Sequence, residues 1–181
     1  REKLARHFPS AAATEWTWYI GGDGARGDAI DLGGQVGAQL VGHDHGLRLL
    51  HVDFDRNYEA LLPGWLMMVD DGGHRFVDET APYGVLDVVV RERGDRVFVV
   101  FDAAALAQTP AWGVDQFAYR IPGHQRPLSK HWNPDIVEQM VRAGAVRTAD
   151  TIAGLATALG VDRVGLAGTV ERYNGFADDG V

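Results

Sequence analysis

The segment Gly73-His74-Arg75-Phe76-Val77-Asp78-Glu79-Thr80-Ala81-Pro82-Tyr83 gathers an arginine, two carboxylates and a phenol in one short stretch. Two readings of it stay open on residue chemistry alone. In the first, a strand carries an Arg75–Glu79 ion pair and a Pro-Tyr turn packs on the core. In the second, a buried charged pair holds the phenol of Tyr83 over a substrate pocket, where it donates or accepts a proton once its neighbours tune it.

Other candidate chemistry is sparser. Gly22-x-Gly24-x-x-Gly27 follows a possible strand and precedes a possible helix, the setting in which glycines let a pyrophosphate approach a helix N-terminus. That fingerprint also needs a continuous parallel-strand unit and an acidic residue about twenty positions on. Asp44 has roughly that spacing but sits in the His43-Asp44-His45-Gly46 loop, and repeated βαβ units are missing. His43 and His45 could chelate a metal from alternate positions, yet a third ligand is not evident and the pair reads as a solvent loop. Ser10 and Ser129 are the candidate nucleophiles for acyl chemistry, and neither sits in a Gly-x-Ser-x-Gly elbow.

Composition narrows the classes further. The 181-residue chain carries a net charge of −8 and no cluster of lysine and arginine, which argues against nucleic acid as a partner. With no cysteine, disulfides and thiolate chemistry are excluded, an absence that fits a reducing cytoplasm. No apolar run reaches the length of a membrane span. Arg1 in place of Met reads as a cut end.

The elements that must position these groups follow from periodicity and punctuation. Glu15 to Ile20 alternates Trp16, Trp18 and Ile20 with polar residues, as a short strand does. Asp28 to Leu40 reads as a helix weakened by Gly33, Gly34 and Gly37, and Leu47 to Val52 is an apolar run of strand length. Leu66 to Val69 and Arg75 to Val77 flank Asp70-Asp71-Gly72-Gly73, which predicts a β-hairpin. Val85 to Arg93 reads as a helix, Val97 to Phe101 as a buried strand and Ala103 to Ala107 as a short helix. Pro110 to Leu128, with three prolines, reads as an irregular excursion. The last third is helical: Asp135 to Ala143 with Ile136, Met140 and Val141 on one face, then Thr151 to Leu159 stopped by Gly160, then a helix capped by Asp162 and running through Leu166, Val170 and Tyr173. This order gives an α+β class, with a small mixed sheet containing a hairpin and several helices.

Four stretches, in this order, carry a resemblance. Gly27-Asp28-Ala29-Ile30 with Gly37-Ala38 resembles the Gly-Asp-Gly-Ile…Gly-Ala stretch of fumarate reductase-like flavoproteins. Pro63-Gly64-Trp65 through Glu79 looks like their substrate-domain hairpin, with its Gly-x-Arg-Phe-x-Asn/Asp-Glu signature. Ala149-Asp150-Thr151-Ile152 with Leu155-Ala156 is similar to their Ala-Asp-Thr-Leu-x-x-Leu-Ala stretch. Thr169-Val170-x-x-Tyr173-Asn174 with Gly180 resembles the stretch that closes the domain. Together they resemble the FAD-dependent fumarate reductase and 3-ketosteroid dehydrogenase superfamily.

The resemblance implies that residues 1–45 are a partial segment of a FAD-binding domain and residues 46–181 the substrate-binding, or capping, domain. It implies FAD as cofactor, with Gly27 and Asp28 in a loop that touches the flavin, and the flavin-binding domain of the same full-length protein as partner. Within the superfamily, fumarate reductases carry a catalytic arginine shortly after the signature glutamate. This chain has Thr80-Ala81-Pro82-Tyr83 there and no arginine before Arg91. The Pro-Tyr is instead similar to 3-ketosteroid dehydrogenases, which makes Tyr83 the proton-handling residue, Arg75 and Glu79 its support, and a steroid-like ketone the small-molecule substrate. A dicarboxylate oxidoreductase, with Arg120 and Arg126 as clamps, and a non-catalytic binding module are the rival readings.

Overall fold

A computed structural model describes residues 2–13, 22–46, 48, 50, 62–94, 96–112, 132 and 134–180. The chain forms two compact units, residues 1–48 and 49–181. The expected strand at Glu15 to Ile20, most of the Leu47-to-Val52 run and the Pro-rich excursion from residue 113 onward lie outside the described residues, as do Ser129, Arg120 and Arg126.

The first unit contains α1 (Glu2–His7), α2 (Pro9–Ala12) and α3 (Asp28–Gln35). The helix expected to reach Leu40 stops at Gln35, and the glycines explain why. Gly37 takes a left-handed φ of 72°. Its N–H donates to Gly34 O, and the Ala38 N–H reaches back to Gly33 O at 2.8 Å, the paired bonds of a Schellman stop.

The second unit is built on β1 (Met67–Val69), α4 (Tyr83–Arg91), β2 (Phe98–Val100), α5 (Ala103–Trp112), α6 (Pro134–Arg142), α7 (Ile152–Leu159) and α8 (Arg163–Asp179). Among the described residues the sheet has two antiparallel strands, with Met67, Met68 and Val69 opposite Val100, Val99 and Phe98. Successive side chains of a strand point to opposite faces, and both faces here are covered. Met67, Val69, Phe98 and Val100 pack with Ala156, Val161, Leu166 and Tyr173 of the α7–α8 layer. Met68 and Val99 pack with Leu86 and Val90 of α4 and with Phe76. This α/β/α layering places the sheet at the centre of an α+β fold. Trp65, Phe101 and Trp132 close one end, each pair meeting edge to face with centroids 5.3 to 6.2 Å apart.

The expected hairpin is the main correction. Only one bridge, Val69 to Arg75, joins its two arms, and β1 spends its pairing on β2 instead. The Asp70–Gly73 turn does close, through Gly73 N–H to Asp70 O at 2.9 Å and Asp70 N–H to His74 O at 3.1 Å. Its glycines, however, serve another contact. The turn presses on the start of α8, where Asp162 caps the helix by accepting from Gly165 N and donates its own N–H to Asp71 O. A Cβ on Gly73 (φ 71°) would lie 2.4 Å from Leu166 N, and one on Gly165 would lie 1.9 Å from Gly72 O. Only glycine allows two backbones to come this close.

Other local expectations match. Thr151 caps α7 by accepting from Gly154 N, and Gly160 ends it in a left-handed conformation. Helix α4 begins two residues earlier than its apolar pattern suggests, because Pro82 (φ −57°, ψ 146°) ends the preceding extended backbone and Tyr83 can start the helix. Helix α5 runs to Trp112, past Pro110. Strand β2 is half-buried rather than fully buried.

These contacts give a stability test. Gly73→Ala and Gly165→Ala should each cost about 1–3 kcal/mol or more, from overpacking against backbone and, at Gly73, from the left-handed φ. Gly84→Ala, in α4 with nothing within 4 Å of the added carbon, should gain about 0.5–1 kcal/mol. Urea denaturation of the three variants checks the order. A Gly165→Ala midpoint equal to wild type would mean that turn and helix do not dock this closely.

Candidate functional site: the Arg75–Glu79 brace and the Tyr83 helix start

Glu79 is buried in spite of its charge, with its side chain only 5% exposed. A carboxylate removed from water must be saturated with donors, and three N–H groups converge on it. Met68 N–H donates to Oε1 at 2.7 Å. Arg75 Nε lies 3.1 Å from both oxygens, and Arg75 Nη2 donates to Oε2 at 2.6 Å. The fork-on-carboxylate geometry is the strong form of such a pair. Its hydrogen bonds with Glu79 raise the guanidinium's pKa above the ordinary arginine value, so Arg75 stays charged. The Arg75 guanidinium also sits over the ring of Tyr173, 5.4 Å from its centroid.

The next residues convert this brace into a helix start. Asp78 accepts from Thr80 N–H at 2.8 Å, and Asp78 O accepts from Ala81 N–H at 2.9 Å. Thr80, through its hydroxyl and its N–H, holds the Asp78 carboxyl below the usual carboxylate value. The chain then passes through Pro82 into α4, with Tyr83 half-buried in its first turn. Arg75, Glu79 and Tyr83 are therefore linked through one short, hydrogen-bonded path. On the far side, Arg93 stacks over Phe76 at 4.2 Å and donates from Nη1 to Val89 O, tying the strand after the turn to the end of α4.

Residue chemistry alone did not single out Tyr173. Its one signal was membership of the Tyr-Asn stretch of α8. In the structure, Tyr173 and Asn174 stand on the wall of a cleft of about 1350 Å³, lined otherwise mainly by apolar residues such as Phe98, Val100, Val141 and Ile152.

Gly27 and Asp28 lie in the first unit. Gly27 caps α3 with a left-handed φ of 76°, and Asp28 and Asp31 occupy the first turn. Lys3 Nζ donates to Arg26 O at 3.1 Å and Gly27 O at 3.3 Å and pairs with Asp31. Two carboxylates at this helix start compete with a phosphate anion for the N–H groups. The turn is therefore poorly suited to a pyrophosphate. Asp44, the only acidic residue at dinucleotide spacing, accepts from the Ser10 N–H and hydroxyl instead, from a backbone at φ 58°. Among the described residues no three His, Asp or Glu side chains gather as a metal site, and no helix is long and apolar enough to cross a membrane.

Two measurements test the brace. Glu79→Ala strands the Met68 N–H and the Arg75 charge together and should cost about 3 kcal/mol, whereas Glu79→Gln keeps an acceptor and should cost less. Equal denaturation midpoints for wild type and Glu79→Ala would make the pair energetically idle. For Asp78, the folded pKa lies below the unfolded one, so its stabilisation is present at neutral pH and disappears as pH falls through the folded value. Asp78→Asn should accordingly lower stability at neutral pH and flatten the acid limb of the stability–pH curve, with the two proteins converging once pH falls below the folded value.

Comparison with known proteins finds a distant relative. The chain is 28% identical over 160 residues to an NADH:acrylate oxidoreductase of Vibrio harveyi, a match that covers 85% of this chain and 14% of that protein. No protein-family profile matches the chain, and no solved structure does. The chain thus resembles, along most of its length, a small part of an oxidoreductase.

Proposed function

We propose that this chain is the substrate-side part of a flavin-dependent oxidoreductase that forms or reduces a carbon–carbon double bond conjugated with a carbonyl group. The observation that carries this reading is the likeness to an NADH:acrylate oxidoreductase over 85% of the chain. Acrylate is a double bond conjugated with a carboxyl group. The resemblance of the Arg75-to-Tyr83 segment to ketosteroid dehydrogenases points to the same bond type beside a ketone. The finer choice, a steroid-like ketone, rests on Tyr83 standing where a fumarate reductase would carry arginine.

In this reading FAD, when bound, supplies the hydride acceptor or donor. The protein's own residues handle the proton. A carbon next to a carbonyl loses its proton because the resulting charge spreads onto oxygen, and Tyr83 is the group placed to take or return that proton. Arg75 and Glu79 act at one remove: they fix the turn that delivers Tyr83, so that the phenol need not be ordered anew at each turnover. Gly27 and Asp28 would hold a hydroxyl of the cofactor. A dicarboxylate substrate is the rival, and it needs uncompensated cations: Arg75, neutralised by Glu79, is not one, and its candidate clamps, Arg120 and Arg126, lie outside the described residues.

Tyr83→Phe in the full-length flavoprotein keeps the ring and deletes the hydroxyl. Loss of a general acid or base costs about 10²–10⁴-fold in rate, so rapid-mixing absorbance of flavin reduction by a ketosteroid-like substrate should slow by that factor, at normal FAD content. Wild-type kinetics in the variant would remove Tyr83 from the chemistry. Faster turnover of fumarate or acrylate than of any ketone would move the substrate to the carboxylate class.

A further inference from the structure

Helix α4 buries more than hydrocarbon. With 3.6 residues per turn, Leu86 and Val90 form the strip that packs with Met68, Phe76 and Val99, and Tyr83 and Asp87 form the strip beside it. Asp87 is only 6% exposed, while Val85 and Val88 on the outer side of the same helix are 47% and 46% exposed. The helix thus shows two valines to solvent and covers a carboxylate, the reverse of what transfer free energies favour. An apolar residue at position 87 would complete the buried face without that cost, so packing alone gives no account of the acid. Buried titratable groups of this kind gather where chemistry is done.

We propose that Asp87 is a positioning residue for Tyr83: its carboxylate takes the phenolic proton as Tyr83 takes a proton from the substrate, and gives it back in the reverse direction. The inference rests on the proton-handling reading of Tyr83 given above. Helix geometry supplies the placement. Residues four apart lie on one face with Cβ atoms about 5–6 Å apart, and a helical side chain leans toward the N-terminus, which carries the Asp87 carboxylate over the turn that Tyr83 begins. Chemistry supplies the need. An ordinary phenol keeps its proton until about pH 10, so a phenol that abstracts a proton near neutrality must hand on its own. Glu79 is spent, because the Met68 N–H and Arg75 occupy both of its oxygens. Among the described residues Asp87 is the other carboxylate so far removed from water. In the step itself the Tyr83 O–H bond breaks toward the carboxylate, directly or through one water, while the substrate proton bonds to the same phenolic oxygen. The electron pair of the broken C–H bond stays with the substrate, whose carbonyl takes it up. The surrounding charges are Arg91, exposed one turn further along the same strip, Asp78, held by Thr80, and the mutually compensated Arg75 and Glu79. Asp87 does not touch the substrate in this scheme and acts only through the phenol.

The test has one arm without turnover and one with it. In the 181-residue chain, labelled with carbon-13 at the tyrosine ring carbon that bears the oxygen, the Tyr83 resonance is assigned by its loss in Tyr83→Phe. It should move in a step as the wild-type chain is titrated through the carboxylate range, and that step should vanish in Asp87→Asn, which keeps the shape and removes the acid. In the full-length flavoprotein, Asp87→Asn should slow flavin reduction by a ketosteroid-like substrate about 10–10²-fold at normal FAD content. The double variant Tyr83→Phe/Asp87→Asn should be no slower than Tyr83→Phe alone, because a group that acts only through the phenol has nothing left to contribute once the hydroxyl is gone. A Tyr83 resonance indifferent to the titration, a wild-type rate in Asp87→Asn, or losses that multiply in the double variant would each make Asp87 a structural residue and overturn the proposal. Any of these beside a slow Tyr83→Phe removes this proposal alone, whereas a wild-type rate in Tyr83→Phe removes the reading of Tyr83 and this proposal together.

Discussion

The second unit depends on a single buried carboxylate. Glu79 sits under the sheet edge, where its desolvation would be prohibitive without compensation. The groups that compensate it come from two places, the backbone of β1 at Met68 and the side chain of Arg75 after the turn, and the Arg75 guanidinium in turn lies over Tyr173 on α8. An ionic group so placed does little to raise stability over an apolar substitute, but it fixes geometry. The strand, the turn and the long helix then share one mutual arrangement, in which the Met68 N–H and the Nε and Nη2 of Arg75 are all spent on Glu79. The start of α4 inherits that arrangement, because only Thr80, Ala81 and Pro82 separate Glu79 from Tyr83.

The glycine contacts supply the complementary constraint, from the other side of the turn. Gly72 meets Gly165, and Gly73 meets the Asp162 and Leu166 backbone, at distances no side chain allows, and the Asp162 N–H completes the junction on Asp71 O. Charge orients the Arg75 side of the turn and bare backbone closes the Gly73 side. Leu166, fully buried just inside α8, and Val69, fully buried at the end of β1, fill the space between them. Polar pairing, backbone approach and apolar packing therefore point to one structure, which is the condition for a sequence to specify a single fold.

How much of this was legible in the sequence divides along local and non-local lines. The caps of α7 and α8 were readable, since Thr151, Gly160 and Asp162 act on residues three or four positions away. The stop of α3 was half-readable: the glycines flagged a weak helix, but the backbone bonds that end it at Gln35 needed coordinates. The hairpin was misread because Asp-Asp-Gly-Gly between two apolar runs is the local signal for one, while the better partner for β1 lay beyond an entire helix at Phe98–Val100. Gly73 does take the left-handed φ that such a turn asks of glycine, and it and Gly72 also serve as packing residues, which no local signal reveals. Tyr173 escaped residue chemistry for the same reason: nothing local to α8 reveals that an arginine from the distant turn lies on its ring.

The first unit is held together differently. Among its described residues none is buried, while Leu32 is 62%, Val36 82% and Val41 77% exposed. Its cohesion comes from polar ties, Lys3 to the Arg26–Gly27 carbonyls and Ser10 to Asp44. Those described residues leave their aliphatic side chains in water and are tied by hydrogen bonds, whereas the second unit draws on a layered apolar core. In the second unit the three N–H groups on Glu79 and the layered core around the sheet hold the turn and the start of α4 in one geometry, and it is this coupling of charge to packing that the described residues of the first unit do not show.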